Sequence, residues 1–241
     1  MAEPEHATVR WFDALPSTQE AAHRLAGEGA LHGTAVAARE QTAGRGTRGR
    51  TWHSPIGGLW MSVICRPLEG APATCFSLRA GLAAARAIET VFPDVPALQL
   101  KWPNDLYLHG RKLAGVLCEA RWQGDSLAWI VTGIGINVAN TVPDELTGVA
   151  VTLREVVPGA TPEALADGLA SAIATAAASG GPFRPSEMAD FAARDYLSGR
   201  RLRAPLAGVA SGVAATGELL VRDDHGVVHR VLEARVELAG D

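Results

Sequence analysis

The chain has 241 residues, 47% of them hydrophobic, and a formal net charge of −4. That length suits one large domain or a large one with a small companion, and the charge argues against a general nucleic-acid or membrane-surface binder. No run is apolar enough to cross a bilayer, the N-terminus MAEPEHATVR lacks a hydrophobic signal core, and Cys65, Cys75 and Cys118 lack metal-site spacing, so a cytoplasmic protein with buried thiols is expected.

Residues 9–15 read as a strand that turns at Pro16. Ser17-Thr18-Gln19-Glu20 fits a capping box, with Ser17 as N-cap and Glu20 reaching back. Ala21, Ala22, Leu25 and Ala26 give the helix its apolar face, and Gly27 and Gly29 end it. Ser17 either only caps, or joins Thr18 and Gln19 in turning polar groups into a pocket beside the helix start. Residues 34–39 form a short apolar strand that delivers the stretch 41–52, QTAGRGTRGRTW.

In that stretch Gly44, Gly46 and Gly49 alternate with Arg45, Arg48 and Arg50. Glycines let the backbone approach a ligand closely, and arginines offer forks of donors that match carboxylate and phosphate. The stretch reads either as a cationic loop that closes over an anion or as a solvated basic turn. It is not a Walker A loop, because G-x-x-x-x-G-K-[ST] is absent. Trp52 ends it, as a core anchor or as a face for stacking a base.

A turn at Pro55 and Gly57-Gly58 precedes a strand at 59–65. An amphipathic helix at 77–92 presents Leu78, Leu82, Ala85, Ile88 and Phe92 to a core. Residues 98–102 form a strand broken at Pro103, where Asn104 and Asp105 sit. Residues 106–108 and 112–120 make a hairpin turned at His109-Gly110, and 129–138 is a further strand. The GIGIN run at 133–137 is no dinucleotide fingerprint, since a proline-containing loop follows where a helix is needed. Gly133 and Gly135 instead suggest close approach within a sheet. Helices are expected at 162–179 and 186–197. After Gly199 the pattern changes to short β runs at 201–204, 208–214, 219–222, 227–233 and 235–238. A boundary near Gly199 gives units of 1–198 and 199–241, the second too small to hold a comfortable core alone and so expected to dock on the first.

Only two of the 22 basic residues, Lys101 and Lys112, are lysines. The two cations are not interchangeable at a tight site, since lysine is a compact point charge. Genome composition also accounts for an arginine bias.

Four segments together resemble the biotin–protein ligases: Ser17-Thr18-Gln19; the 41–52 loop; Lys101-Trp102-Pro103-Asn104-Asp105 followed by Arg111-Lys112-Leu113-Ala114-Gly115; and Gly133-Ile134-Gly135-Ile136-Asn137. The resemblance implies an α+β catalytic domain with a mixed central sheet flanked by helices, akin to class II aminoacyl-tRNA synthetases, and a small C-terminal SH3-like β-barrel. It departs at Gln19, where the family usually has Asn, and at Thr47, where the loop often carries a second Arg.

The resemblance implies activation of biotin by ATP to biotinyl-5′-AMP, with Mg²⁺ on the triphosphate. Transfer to a lysine of the biotin carboxyl carrier domains of biotin-dependent carboxylases follows. Lys112 and Arg45 are the implied catalytic cations. Ser17, Thr18, Gln19, Gln41, Arg45, Gly46, Thr47, Lys112, Gly115 and Gly133 are implied on the biotin side, and Arg48, Arg50, Trp52, Asn104, Lys112 and Asn137 on the ATP side. Asp105 either binds Mg²⁺ or accepts backbone hydrogen bonds. The loop is expected to be mobile without ligand and ordered with it. About ten residues precede the first strand, too few for a helix-turn-helix domain, so DNA binding is not expected; membrane binding is not expected, and a homodimer is left open. The rival readings are a lipoate or octanoate ligase or transferase and a non-catalytic biotin-binding protein.

Overall fold

The computed structural model describes residues 9–66, 73–232 and 234–239. Residues 1–8 and Glu233, the expected end of the penultimate C-terminal strand, lie outside them.

Seven strands make the main sheet: β1 (Val9–Leu15), β2 (Ala35–Gln41), β3 (Leu59–Cys65), β4 (Gln99–Lys101), β5 (Asp105–Leu108), β6 (Arg111–Gln123) and β7 (Ser126–Ile136). Their order is β1-β2-β3-β7-β6-β5-β4. β1 and β2 are parallel, linked by the crossover helix α1 (Thr18–Gly27), and every other pair is antiparallel. The sheet is therefore mixed, as expected. His109 (φ 50°) and Gly110 (φ 73°) make the predicted tight turn between β5 and β6, a pair of positive φ values that suits the twist of a two-residue hairpin.

Strand periodicity divides the labour of the two faces. On one, Leu59, Met61 and Val63 of β3 and Ile130, Ile134 and Ile136 of β7 are buried in one large cluster. That cluster also takes in α2 (Ala73–Val91), α3 (Pro162–Ala177) and α4 (Pro185–Arg194). On the other, Val36, Ile64 and Val131 are covered by Ala21, Ala22 and Ala26 of α1. Further along, that second face carries Ser62, Gly133 and Gly135, which offer little apolar surface to seat a helix. It stays open there as a cleft.

The last main-domain helix, α4, ends at Arg194, three residues before the expected Leu197. Asp195 leaves helical geometry (φ −65°, ψ 106°) and its carboxylate accepts from the Leu197 N–H at 2.9 Å. The expected boundary at Gly199 falls between α4 and β8 (Arg201–Ala204). β8 is followed by β9 (Gly208–Val213), β10 (Leu219–Arg222), β11 (Val228–Val231) and β12 (Glu237–Leu238), an antiparallel sheet in the order β11-β10-β9-β8-β12. Leu202, Val213, Leu219 and Val221 join the main apolar cluster. Trp102 Nε1 donates to Gly217 O at 3.0 Å, so the smaller sheet docks on the larger.

Candidate functional site

An open cleft of about 1150 Å³ lies over the second face of the sheet, between the start of α1, the 41–52 loop, the end of β7 and the edge of the C-terminal sheet. Every residue assigned above to the biotin and ATP sides borders it, as does Asp105. Its floor is made of glycine. A Cβ on Gly133 would stand 2.5 Å from Gln19 Oε1, and one on Gly135 would collide with the Trp52 indole. A Cβ on Gly115 would press on the same ring at 3.1 Å. The glycines of GIGIN thus admit two side chains onto the sheet, which is the close approach their pattern suggested.

The deep end is polar. Ser17 is the N-cap residue by its backbone (φ −155°, ψ 131°), but its side chain makes no capping bond, and Glu20 stays exposed. The capping box is therefore not formed. The Ser17 hydroxyl is buried without a protein partner, because the extended residue at the helix start aims it at the cleft rather than back along the helix.

Thr18 donates from its N–H to Gln41 Oε1 at 2.8 Å, and Gln41 Nε2 donates to Ser54 Oγ at 2.8 Å. Gln19 Nε2 donates to Val131 O at 3.0 Å. These bonds fix both amide orientations. Thr18 Oγ1 also lies 3.1 Å from Gln41 Oε1 and 2.9 Å from Ser62 Oγ, which lies 3.0 Å from Gln19 Oε1. Two hydroxyls hold two protons for these three oxygen–oxygen contacts, so one contact carries no proton, while Gln41 Oε1 already accepts from the Thr18 N–H. The lone pairs left over on these oxygens can accept an N–H brought by a ligand.

The shallow end is cationic. Lys112, on β6, sets its ammonium 2.6 Å from Asp105 Oδ1 and 4.9 Å from the centre of the Trp52 ring. Lys101 also borders the cleft, 3.3 Å from Tyr107 Oη and over the rings of Tyr107 and Tyr196. The Trp52 Nε1–H is buried without a partner on the glycine floor.

The loop between Gln41 and Trp52 is pinched by backbone bonds from Gly46 N to Arg50 O (2.7 Å) and from Trp52 N to Gly44 O (2.9 Å). A 3-10 turn at Thr47–Gly49 caps it, with Arg48 in the left-handed region (φ 59°) and Arg50 Nη2 donating to Thr47 Oγ1 at 2.8 Å. Arg45 is exposed and donates from Nη2 to Glu119 Oε1 at 2.8 Å.

Asn104 Nδ2 donates to Val116 O at 2.7 Å, tying its turn to β6, and Asn137 Oδ1 accepts from Asn140 Nδ2 at 3.1 Å. Both asparagines border the cleft while holding its walls together. Cys118 borders it too, but burial pushes its thiol, like that of Cys65, up to about 12, so neither is a nucleophile. No cluster of three or more His, Cys, Asp or Glu able to hold a metal occurs among the described residues.

Sequence reading missed Ser54, Ser62, Asn140 and Glu119. Ser62 had a signal, a lone hydroxyl at one parity of the apolar strand LWMSVIC. The others became visible only once distant segments met.

The sequence profile of the Biotin/lipoate A/B protein ligase family matches residues 11–137. The chain is 42% identical over 154 residues to a bifunctional ligase/repressor BirA of Bacillus subtilis, covering 60% of this chain and 46% of that relative. It thus spans about half that relative's length. It is 31% identical over 209 residues to a biotin–[acetyl-CoA-carboxylase] ligase of Mycobacterium tuberculosis, covering 84% of this chain and 75% of the other. The structure superposes on the biotin protein ligase from Aquifex aeolicus in complex with biotin and ATP with a TM-score of 0.79. That match has 26% identity, over 96% of this chain and 98% of the other.

Proposed function

The chain belongs to the Biotin/lipoate A/B protein ligase family, and we propose that within it the protein is a biotin–protein ligase. It activates biotin with ATP and passes the biotinyl group to a lysine of a biotin carboxyl carrier domain. The observation that carries this reading is one cleft with a cluster of hydroxyl and amide oxygens at one end and Lys112 at the other. A ureido ring brings both N–H donors and a carbonyl acceptor. Its N–H groups suit the Thr18–Ser62–Gln41 cluster, and its carbonyl suits the unpartnered Ser17 hydroxyl. Gln19 and Gln41, whose amides are already engaged, hold that cluster in shape rather than meet the ligand alone. The glycine floor and Trp52 give the acyl chain a narrow apolar path between the ends.

In the first step a carboxylate oxygen bonds to the α-phosphorus of ATP, and the bond from that phosphorus to the bridging oxygen breaks, releasing pyrophosphate. Two anions must meet, so a cation between them lowers the barrier. Lys112 fills that role, with Asp105 and the Trp52 face fixing its ammonium beforehand. Arg45, Arg48 and Arg50, with the Gly46 and Thr47 backbone, close on the carboxylate and phosphates. In the second step a neutral lysine amine attacks the acyl carbon, AMP departs, and an amide forms.

Asp105 offers a single carboxylate, already paired with Lys112 at 2.6 Å. That fits a Mg²⁺ carried in on the triphosphate, which needs only one or two protein carboxylates, and does not fit a dedicated protein cage. Bound there, Mg²⁺ would neutralise phosphate charge.

The test is ATP–pyrophosphate exchange with biotin and, separately, with lipoate and octanoate. Exchange with biotin alone is expected; exchange with lipoate alone sinks the reading.

A further inference from the structure

Arg45 is held from outside the cleft. Its Nη2 donates to Glu119 Oε1 at 2.8 Å, and Glu119 does not itself border the cleft, while Arg45 does. Behind Glu119 stands His23 of α1, its Nε2 3.4 Å from Glu119 Oε2. The other ring nitrogen, Nδ1, accepts from Trp129 Nε1 at 3.1 Å. An acceptor at Nδ1 places the neutral ring's proton on Nε2, facing the carboxylate. Burial lowers the His23 pKa against the opposing pull of Glu119, which favours that neutral form. A chain of side chains from β7, α1 and β6 therefore ends on a loop arginine.

We propose that Glu119, backed by His23 and Trp129, is a positioning residue that sets where the guanidinium of Arg45 stands over the cleft. A guanidinium has five N–H donors in a rigid fork. Glu119 occupies one edge, and among the described residues no other hydrogen bond to Arg45 is made, so the remaining donors stay available to a ligand anion. Glu119 lies on β6 with Gly115 and Leu117 at the same parity, so the strand that floors the site also fixes the reach of the loop. The inference rests on the reading that Arg45 serves the carboxylate or phosphate of the reaction.

The test compares Glu119→Ala, Glu119→Gln, Arg45→Ala and the Glu119→Ala/Arg45→Ala double variant, after circular dichroism has checked the fold of each. Without any ligand, trypsin should cut after Arg45 about fivefold faster in Glu119→Ala, because a half-exposed charge pair is worth up to about 1 kcal/mol. In biotin-dependent ATP–pyrophosphate exchange, Glu119→Ala should raise KM for biotin about fivefold with kcat within about twofold. Glu119→Gln, which keeps an acceptor, should recover much of that loss. The double variant should be no worse than Arg45→Ala alone, the mark of two residues acting through one contact. A lower KM in Glu119→Ala would mean that Glu119 withholds Arg45 and would overturn the proposal, as would unchanged trypsin cutting. A wild-type protein that exchanges nothing with biotin defeats the ligase reading instead, and the ligand-free proteolysis still decides the Glu119–Arg45 contact.

Discussion

Two arginines show how the two halves of the molecule differ. Arg79, on α2, is 2% exposed, and its guanidinium is fully engaged. It donates to the carbonyls of Ser179, Gly181 and Pro182, pairs with both oxygens of Glu187, and lies over the Phe183 ring. It clasps the link between α3 and α4 on the covered side of the sheet. Arg45, on the cleft side, touches a single carboxylate from an exposed position. The same side chain is a rivet in one place and a hand in the other. What differs is how many of its donors the protein itself consumes: a saturated guanidinium has nothing left for a ligand, and a half-used one does.

The contrast breaks most violently at Arg79. Arg79→Ala should cost about 3–5 kcal/mol, since it removes a fully buried guanidinium that pairs with the part-buried Glu187 and bonds three carbonyls. Urea denaturation measures it, and a loss under 1 kcal/mol would mean that the clasp is ornamental. The effect is on stability and not on the chemistry of molecules that remain folded.

At the cleft the expectation reverses. Lys112→Ala should leave the urea midpoint nearly unchanged, because its ion pair is part-exposed, while biotin-dependent exchange falls about 10²–10³-fold. Lys112→Arg should restore little of it, since a planar fork does not fill the space of an ammonium. Near-normal exchange in Lys112→Ala would remove the lysine from the mechanism.

Between these extremes lies the floor. Gly135→Ala puts a methyl group into the Trp52 indole, a strain of about 1–3 kcal/mol in a packed site. The ring should be pushed out, and titrating the variant with biotin by calorimetry should show weaker binding. Unaltered affinity would show that Trp52 does not shape the ligand path.

The smallest effect is the acid limb of the stability curve. Burial opposes ionisation of Glu187, but hydrogen bonds from Arg79 and Arg184 outweigh it and lower its pKa from 4.5 to about 2. A depressed carboxylate contributes stability that is fully present above its unfolded pKa and is lost as pH falls toward the folded value. Melting temperature should therefore drop between about pH 4.5 and 2, and Glu187→Gln should flatten that slope. Parallel curves for wild type and variant would place the acid sensitivity elsewhere.

The sequence by itself determined the element order and the later β unit, because hydrophobic period and turn residues are local properties; the mixed sheet with its flanking helices was implied only by the family resemblance. The sequence also picked out the site segments, since glycine, arginine and lysine at those spacings limit what chemistry a stretch supports. Tertiary structure alone decided which polar groups were already spoken for. Ser17 read either as a cap or as a pocket hydroxyl, and only the fold shows its hydroxyl buried, unpartnered and bordering the cleft. Gln19 and Gln41, assigned to the biotin side by resemblance, border the cleft with amides already bonded to Val131, Ser62, Thr18 and Ser54. The partners that settle this, Ser62, Ser54 and Glu119, stand 43, 13 and 74 residues from Gln19, Gln41 and Arg45. A hydrogen bond is a property of two positions in space, and no one-dimensional pattern records which distant donor will reach which acceptor until the sheet has brought them together.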